Sequence, residues 1–189
     1  MRRLAVVLLA VAVAGCGSSG ATISAKKLPS LVLSAKDVGS AYSEFANGKQ
    51  SRIDLHAGPR QDPQRFGRRG GWIARYRRAG GTLETRGPLV VESRADLFPS
   101  SGAAKKDLDA YVKEYAMLTS SVGGARLDDP SVGDGAVAFR YGSGGDNFFV
   151  VAWRDANATA SVVVEGAKVS LRDAVSLARK QEAQIARAR

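Results

Sequence analysis

The sequence predicts an α+β fold in which an antiparallel β-sheet of about five strands carries two main helices, in the order α-β-β-α-β-β-β-α. Short segments that alternate apolar and polar residues are separated by glycine-rich turns, which is typical of antiparallel hairpins. Two longer segments place apolar residues at every third or fourth position, which predicts amphipathic helices. Hairpins with helices between and after them are characteristic of the α+β class.

The first predicted element is a short helix near the start of the folded domain. Ser34 and Asp37 fit a capping box with Ser34 as the N-cap, in which each side chain accepts from the other residue's backbone N–H. Residues 46–71 then lack hydrophobic periodicity, and the pair Gly58-Pro59 breaks regular structure. We therefore expect a long loop over this range, of the length that is usually functional or disordered.

A hairpin and a long helix follow this loop. Residues 72–77 alternate, with Trp72 and Tyr76 on one face and arginines on the other, and residues 89–94 form the second strand. The helix opens at residue 101 and is stopped by Gly123-Gly124. Its apolar stripe consists of Ala104, Leu108, Tyr111, Val112, Tyr115 and Leu118.

Three further strands and a terminal helix complete the predicted domain. The strands lie at residues 136–141, 148–153 and 159–165, and polar turns between them indicate an antiparallel meander. The middle strand is apolar on both faces, which favours a central position in the sheet. The helix begins near Ser170.

The N-terminal segment carries the strongest targeting signal of the chain. Residues 1–15 combine two arginines, a short apolar run and small residues, as a secretory signal peptide does. The run over residues 4–14 is too short for a membrane span, which needs roughly 20 apolar residues. The sequence from residue 13 to Cys16 resembles the bacterial lipobox, and the resemblance implies cleavage before Cys16 and acylation of its sulfur, with diacylglycerol and palmitate as the lipid.

These signals divide the chain into three parts. Residues 1–15 are the predicted signal peptide, residues 16–27 the lipidated Cys16 with a flexible tether, and residues 28–187 a single α+β domain with a basic loop at 46–71. Cys16 is the only cysteine, so no disulfide forms within the chain. Because a signal peptide directs export, we expect the domain on the extracytoplasmic face of the cell membrane. Its anchor there is the lipid on Cys16, since two acyl chains hold a protein stably at a membrane.

Positive charge is concentrated in one segment of the chain. The net charge is +10, and residues 60–78 hold seven arginines against one aspartate. An exported protein meets anionic lipid head groups or acidic wall polymers rather than nucleic acid, and basic residues bind such surfaces. The alternative is a solvated basic loop beside one polar strand face. The predicted anion-binding or membrane-surface residues are Arg60, Arg65, Arg68, Arg69, Arg75, Arg77 and Arg78.

The sequence offers no catalytic residues, no metal site and no cofactor site. His56 is the only histidine, and it lies in the polar loop without a Gly-x-Ser-x-Gly motif anywhere in the chain. The EF-hand spacing of acidic residues is absent. The glycine-rich segment 142–145 leads into a strand and not into a helix, so it lacks the helix N-terminus that binds phosphate.

Short motifs resemble a family of actinobacterial envelope proteins. They are the segment 33–39, the Val132-Gly133-Asp134 step before a strand, and residues 178–181 in the closing helix. The segments resemble the PknH-like extracellular sensor domains and the PsbP-like lipoproteins over residues 28–186. The resemblance implies a ligand-sensing or binding module with no catalytic residue, although the disulfides of the kinase sensor domain have no counterpart here.

The sequence therefore predicts a membrane-anchored extracytoplasmic lipoprotein that acts as a non-catalytic ligand-binding, sensor or interaction module. Its expected partners are membrane lipid through Cys16 and, through the arginines, anionic lipid, a wall polymer or an envelope protein. One alternative is an envelope hydrolase that uses carboxylates, and the other is a structural adaptor subunit. The candidate carboxylates of a hydrolase are Glu84, Glu92, Asp96 and Glu165.

Overall fold

A seven-stranded antiparallel sheet forms the centre of the molecule, with the strand order β1-β2-β3-β7-β6-β5-β4. The computed structural model describes residues 22–50, 64–80, 85–143 and 145–189. The strands are β1 (Tyr42–Lys49), β2 (Gly70–Arg78), β3 (Val90–Leu97), β4 (Ala125–Leu127), β5 (Asp134–Ser143), β6 (Asp146–Asp155) and β7 (Ala158–Gly166). The helices are α1 (Ala35–Val38), α2 (Ser101–Ser121) and α3 (Leu171–Ala188), with 3₁₀ helices at Ala25–Ser30 and Arg65–Gly67.

The predicted α+β class, the antiparallel β2–β3 hairpin and the β5–β6–β7 meander are confirmed. The predicted count of about five strands and the predicted order are wrong, because β1 and β4 were not expected. β1 lies at the edge of the sheet and exposes most of its side chains, so it lacks the apolar alternation that marks a strand. β4 has three residues, which is too short for any periodic signal.

The predicted loop at residues 46–71 is also partly wrong. Its first residues continue β1, its last residues begin β2, and a 3₁₀ turn lies at Arg65–Gly67. Residues 51–63, which include His56 and Arg60, lie outside the described residues, as do Cys16 and Glu84.

One side of the sheet, which we call the α3 face, packs against α3 and the N-terminal segment. Tyr76, Val91 and Trp153 are fully buried there, which confirms the core face predicted for β2. α3 begins where predicted, since the backbone N–H and the hydroxyl of Ser170 both donate to the carboxylate of Asp173.

The opposite side, the α2 face, packs against α2 through an aromatic cluster. Tyr111 and Tyr115 of α2 lie on Phe139 of β5, with ring centroids 5.1 Å apart for Tyr115 and Phe139. The predicted apolar stripe of α2 therefore faces the sheet. α2 covers the centre of this face and the part formed by β5. The side chains that β2 and β3 place on the same face include charged residues.

The first described residues of the chain are fixed to the core by Asn157. Its amide oxygen accepts from the backbone N–H of Ile23 at 2.7 Å, and its amide nitrogen donates to the carbonyl of Ile23 at 3.2 Å and that of Phe98 at 2.9 Å. Asn157 is 1% exposed. Within the described ranges, no helix is both long and apolar enough to cross a membrane.

Candidate ligand-binding cleft

A cleft of about 490 Å³ opens on the α3 face beside the edge strand β1. The N-terminal segment forms one wall, β1 forms the other, and the C-terminal turns of α3 close one side. A volume of this size with mixed lining is typical of small-molecule sites. The lining residues are Lys27, Pro29, Ser30, Val32, Leu33, Ser34, Ala35, Glu44, Asn47, Tyr76, Gln184, Arg187 and Ala188.

A β-bulge shapes the β1 wall of the cleft. Glu44 pairs with Tyr76 and Asn47 pairs with Ala74, and the register shifts by one residue between them at Phe45. Residues three apart on a regular strand point to opposite faces, because side chains alternate. The extra residue restores both Glu44 and Asn47 to the α3 face, where they line the cleft.

Tyr76 forms the floor of the cleft and holds its other wall. Its ring is buried, and its hydroxyl donates to the carbonyl of Leu33 at 2.7 Å. The backbone N–H of Leu33 donates in turn to the Ser93 hydroxyl at 2.9 Å. Burial, followed by the nearby carboxylate of Glu44, raises the pKa of Tyr76 well above its ordinary value, so the hydroxyl remains a donor. The segment after the first 3₁₀ helix is thereby held rigidly over the sheet.

Gln184 presents an acceptor at the α3 side of the cleft. Its amide nitrogen donates to the Asp37 carboxylate at 2.7 Å, which fixes the orientation of the side chain. Its carbonyl oxygen is buried and has no hydrogen-bond partner among the described residues. Burial opposes the charge of Asp37, but hydrogen bonds from Ser34 and Gln184 and the charge of Lys180 outweigh it, so its pKa is lowered. Asp37 therefore stays an acceptor and holds the Gln184 side chain in place.

The rim of the cleft carries two cations and one anion. Lys27 and Arg187 are exposed at the rim, and Glu44 stands on the β1 wall. Asn47 donates to Glu44 at 3.0 Å and accepts from the Trp72 indole N–H at 2.6 Å, which holds the Glu44 carboxylate along β1. The described lining contains no histidine or cysteine. Its side chains offer both apolar surface and hydrogen-bonding groups.

Three of the predicted arginines form ion pairs with carboxylates of the same domain. Arg68 pairs with the buried carboxylate of Asp96, with side chains only 5% and 2% exposed. Arg75 donates to Glu92 at 2.7 Å, and Arg65 donates to Glu114 at 2.7 Å. These partners could not be found from the sequence because 28, 17 and 49 residues separate the members of each pair.

The structure does not bring the other described arginines of the predicted set into one patch. Arg77 lies over the Phe45 ring at 5.2 Å on the α2 face, whereas Arg78, the next residue of β2, points to the opposite face. Arg69 is exposed and lines, with Arg68 and Lys49, a second cleft of about 410 Å³. None of the described arginines of the predicted set lines the larger cleft.

Of the carboxylates predicted for a hydrolase, Glu84 lies outside the described residues, and Glu92 and Glu165 line one small pocket on the α2 face. Glu92 lies between Arg75 and Arg94, and Asp96 is held by Arg68. Sequence reasoning missed the facing carboxylates Asp155 and Glu182, which come from β6 and α3.

The Asp155–Glu182 pair is not positioned for catalysis in the clefts described here, because neither residue lines them. Asp155 is 3% exposed. Over the described ranges, no three His, Cys, Asp or Glu side chains cluster as metal ligands would.

Comparison with known proteins identifies a shared fold. No protein-family model matches the chain, and no curated protein sequence matches it. A solved structure that matches is the extracellular domain of PknH from Mycobacterium tuberculosis, with 11% identity and a TM-score of 0.62 over 88% of this chain and 96% of that chain. The fold implied by the PknH-like resemblance is confirmed, and the lipobox stays a prediction. The chain has the fold of the PknH extracellular domain.

Proposed function

We propose that the chain is a lipid-anchored, extracytoplasmic module that binds a small ligand in the cleft on the α3 face and does no chemistry on it. The observation that carries the proposal is a cleft of about 490 Å³ whose lining includes the exposed cations Lys27 and Arg187.

The ligand class follows from the lining. Pro29, Ala35 and Ala188 offer apolar surface, and Lys27 and Arg187 place two positive charges at the rim. We infer an amphipathic ligand with an apolar body and an anionic group at the rim. Each basic residue near an anionic group contributes about 1 kcal/mol.

The anchor would keep this cleft close to the membrane surface. Cys16 precedes Thr22, the first described residue, by six positions, and six residues reach at most about 20 Å in any conformation. Ile23 is fixed to the core by Asn157 and Lys27 already lines the cleft. Acylation of Cys16 would therefore hold the mouth of the cleft within reach of lipid and envelope material.

The exposed members of the predicted arginine set keep a role in this proposal. Arg69 lines the second cleft beside Lys49, and Arg77 stands exposed on the α2 face, so each can meet anionic lipid, a wall polymer or an envelope protein. Surface charges of this kind speed encounter with anionic partners and are screened by salt.

Fluorescence titration with 1-anilinonaphthalene-8-sulfonate, an amphipathic anion, tests the cleft directly. We expect the full chain in mild detergent to bind the probe, and the double variant Lys27→Ala/Arg187→Ala to bind about thirtyfold more weakly. The matched control is Lys106→Ala/Arg172→Ala, which removes the same charge from exposed positions outside the cleft. Equal affinity of the two double variants would overturn the assignment of the cleft.

A further inference from the structure

The side of α3 that is turned away from the sheet carries a row of exposed basic residues. Arg172, Arg179, Lys180 and Arg187 form this row, which we call the basic α3 surface, and the exposed positions between them are serine and alanine. Residues spaced three or four apart share one side of a helix. Arg172 and Arg187 are 15 positions apart, so the row is about 22 Å long.

The buried side of α3 fixes the direction in which this row points. Ala174, Leu177, Ala178 and Ile185 are buried, and α3 packs against β6 and β7. Because the basic residues lie on the opposite side of the helix, the basic α3 surface faces solvent.

The carboxylates of the same segment do not neutralise this row. Residues 167–189 hold six basic residues against Asp173 and Glu182. Asp173 accepts from the backbone and the hydroxyl of Ser170, and Glu182 accepts from the Trp153 indole on the sheet side. Among the described residues, no carboxylate lies within ion-pair distance of a cation of the basic α3 surface.

The N-terminal segment extends the positive charge beside α3. Residues 22–39 hold three lysines against one aspartate, Asp37, and both the first 3₁₀ helix and α1 contact α3. The Asp37 carboxylate is hydrogen-bonded within the domain, and its backbone carbonyl accepts from Lys180 at 2.6 Å. Glu44 lies across the cleft on β1. The N-terminal segment and residues 167–189 therefore have a surplus of six positive charges between them.

The described chain begins beside the same surface. Asn157, between β6 and β7, holds Ile23, and Arg189 at the end of α3 donates to the last residue of β6. The chain therefore enters the domain near the C-terminal end of α3. Cys16 precedes Thr22 by six positions, which reach at most about 20 Å. A lipid on Cys16 would bring a bilayer within reach of the basic α3 surface.

We propose that the basic α3 surface docks on an anionic lipid bilayer and turns the mouth of the cleft toward the lipid head groups. The negative potential of such a bilayer attracts basic residues at its surface, and a straight row on a helix fits a flat partner. The row contains no large apolar side chain, so the contact is electrostatic and is screened by salt. The inference rests on the proposed function for the lipid anchor alone, and occupancy of the cleft plays no part in it.

Fluorescence quenching by lipids with a nitroxide head group measures which side of the domain faces the bilayer. Ala183→Cys places a label within the row, and Ala116→Cys places the same label at an exposed position of α2, on the other side of the sheet. The unsubstituted chain, labelled in the same way, gives the background from Cys16. For the full chain in vesicles of phosphatidylcholine and phosphatidylglycerol, we expect quenching at least about twofold stronger at position 183 than at position 116. Equal quenching at the two positions, or no retention of the chain on these vesicles, would overturn the proposal.

Two double variants assign the orientation to the basic α3 surface. Each basic residue near an anionic surface strengthens binding about fivefold, so Arg172→Gln/Arg179→Gln should weaken the docked orientation about thirtyfold and abolish the difference in quenching. The matched control is Lys106→Gln/Lys113→Gln, which removes the same charge from exposed positions of α2 and should keep the difference. The same behaviour of both double variants would contradict a role for this surface.

The anionic fluorescent probe separates this surface from the cleft. Neither Arg172 nor Arg179 lines the cleft, so Arg172→Gln/Arg179→Gln should bind the probe as the wild type does. Equal quenching at positions 183 and 116 in a chain that still binds the probe would overturn the docking surface and leave the cleft in place. A loss of probe affinity in this variant would show that the two arginines act on the cleft and would contradict their assignment to the bilayer.

Discussion

The indole N–H of Trp153 donates to Oε2 of Glu182 at 2.6 Å and so joins the buried centre of β6 to α3. The same carboxylate faces Asp155, and Arg189 donates to Asp155 at 2.9 Å. Burial, followed by the hydrogen bond and charge of Asp155, raises the pKa of Glu182 from 4.5 to about 7. Glu182 therefore keeps its proton up to near neutral pH in the folded state.

This pair makes stability depend on pH. Because the pKa of Glu182 is higher in the folded state, its contribution is fully present below about pH 4.5 and is lost as the pH rises to about 7. We expect the wild type to lose about 2 kcal/mol of unfolding free energy across this window relative to Glu182→Gln, which cannot ionise. Urea unfolding of both proteins at several pH values measures the difference. Parallel pH profiles would contradict the raised pKa of Glu182.

The Arg68–Asp96 pair is predicted to stabilise the fold rather than bind a ligand. Removing one partner of a buried pair leaves an uncompensated charge, so Asp96→Ala should cost about 3–5 kcal/mol. The exposed pair Lys105–Asp109 is the matched control, and Asp109→Ala should cost about 0.5 kcal/mol. Denaturant unfolding checks both values, and similar costs for the two variants would show that Arg68 and Asp96 are not a structural pair.

Asn157 is predicted to anchor the N-terminal segment. Asn157→Ala removes three side-chain hydrogen bonds and leaves the backbone groups of Ile23 buried without partners. We expect a loss of about 3 kcal/mol in unfolding free energy and faster proteolysis within residues 22–30. Asn47→Ala, at an exposed position, is the control. Unchanged proteolysis would mean that other contacts hold the segment.

Tyr76→Phe tests whether the floor of the cleft positions its wall. The variant keeps the ring and removes the hydrogen bond to the Leu33 carbonyl, which should cost about 1–2 kcal/mol of stability. Affinity for the anionic fluorescent probe should fall with it, because the wall is no longer fixed. Tyr42→Phe loses a comparable bond, to the carbonyl of Pro88, outside the cleft, and should leave probe affinity unchanged. Equal probe affinity for Tyr76→Phe and the wild type would contradict the role of this bond.

The parts of the fold that were predictable are those with strong periodicity. The β5–β6–β7 meander and both long helices bury a regular set of apolar side chains, so their patterns are visible in the sequence. β1 was not predictable because only its β2 side is paired and most of its side chains face solvent. The bulge at Phe45 depends on pairing with β2, which a single segment does not encode.

The candidate sites were less predictable than the fold. Lys27, Glu44, Tyr76 and Gln184 come from four elements, and only the folded chain brings them to one cleft. The arginines were predicted to form one surface patch because they are close in sequence. Successive side chains of a strand point to opposite faces, so Arg77 and Arg78 of β2 lie on opposite faces of the sheet. Cys16 lies outside the described residues, so its lipidation stays a prediction.

Native mass spectrometry of the full chain, extracted from its own membrane in mild detergent, tests the central claim most directly. The account predicts a bound mass, beyond any acyl group, that dissociates on collision from the wild type and from Lys106→Ala/Arg172→Ala. The same mass should be depleted in Lys27→Ala/Arg187→Ala. An empty wild-type protein, or equal occupancy in both double variants, would contradict a ligand-binding role for the cleft.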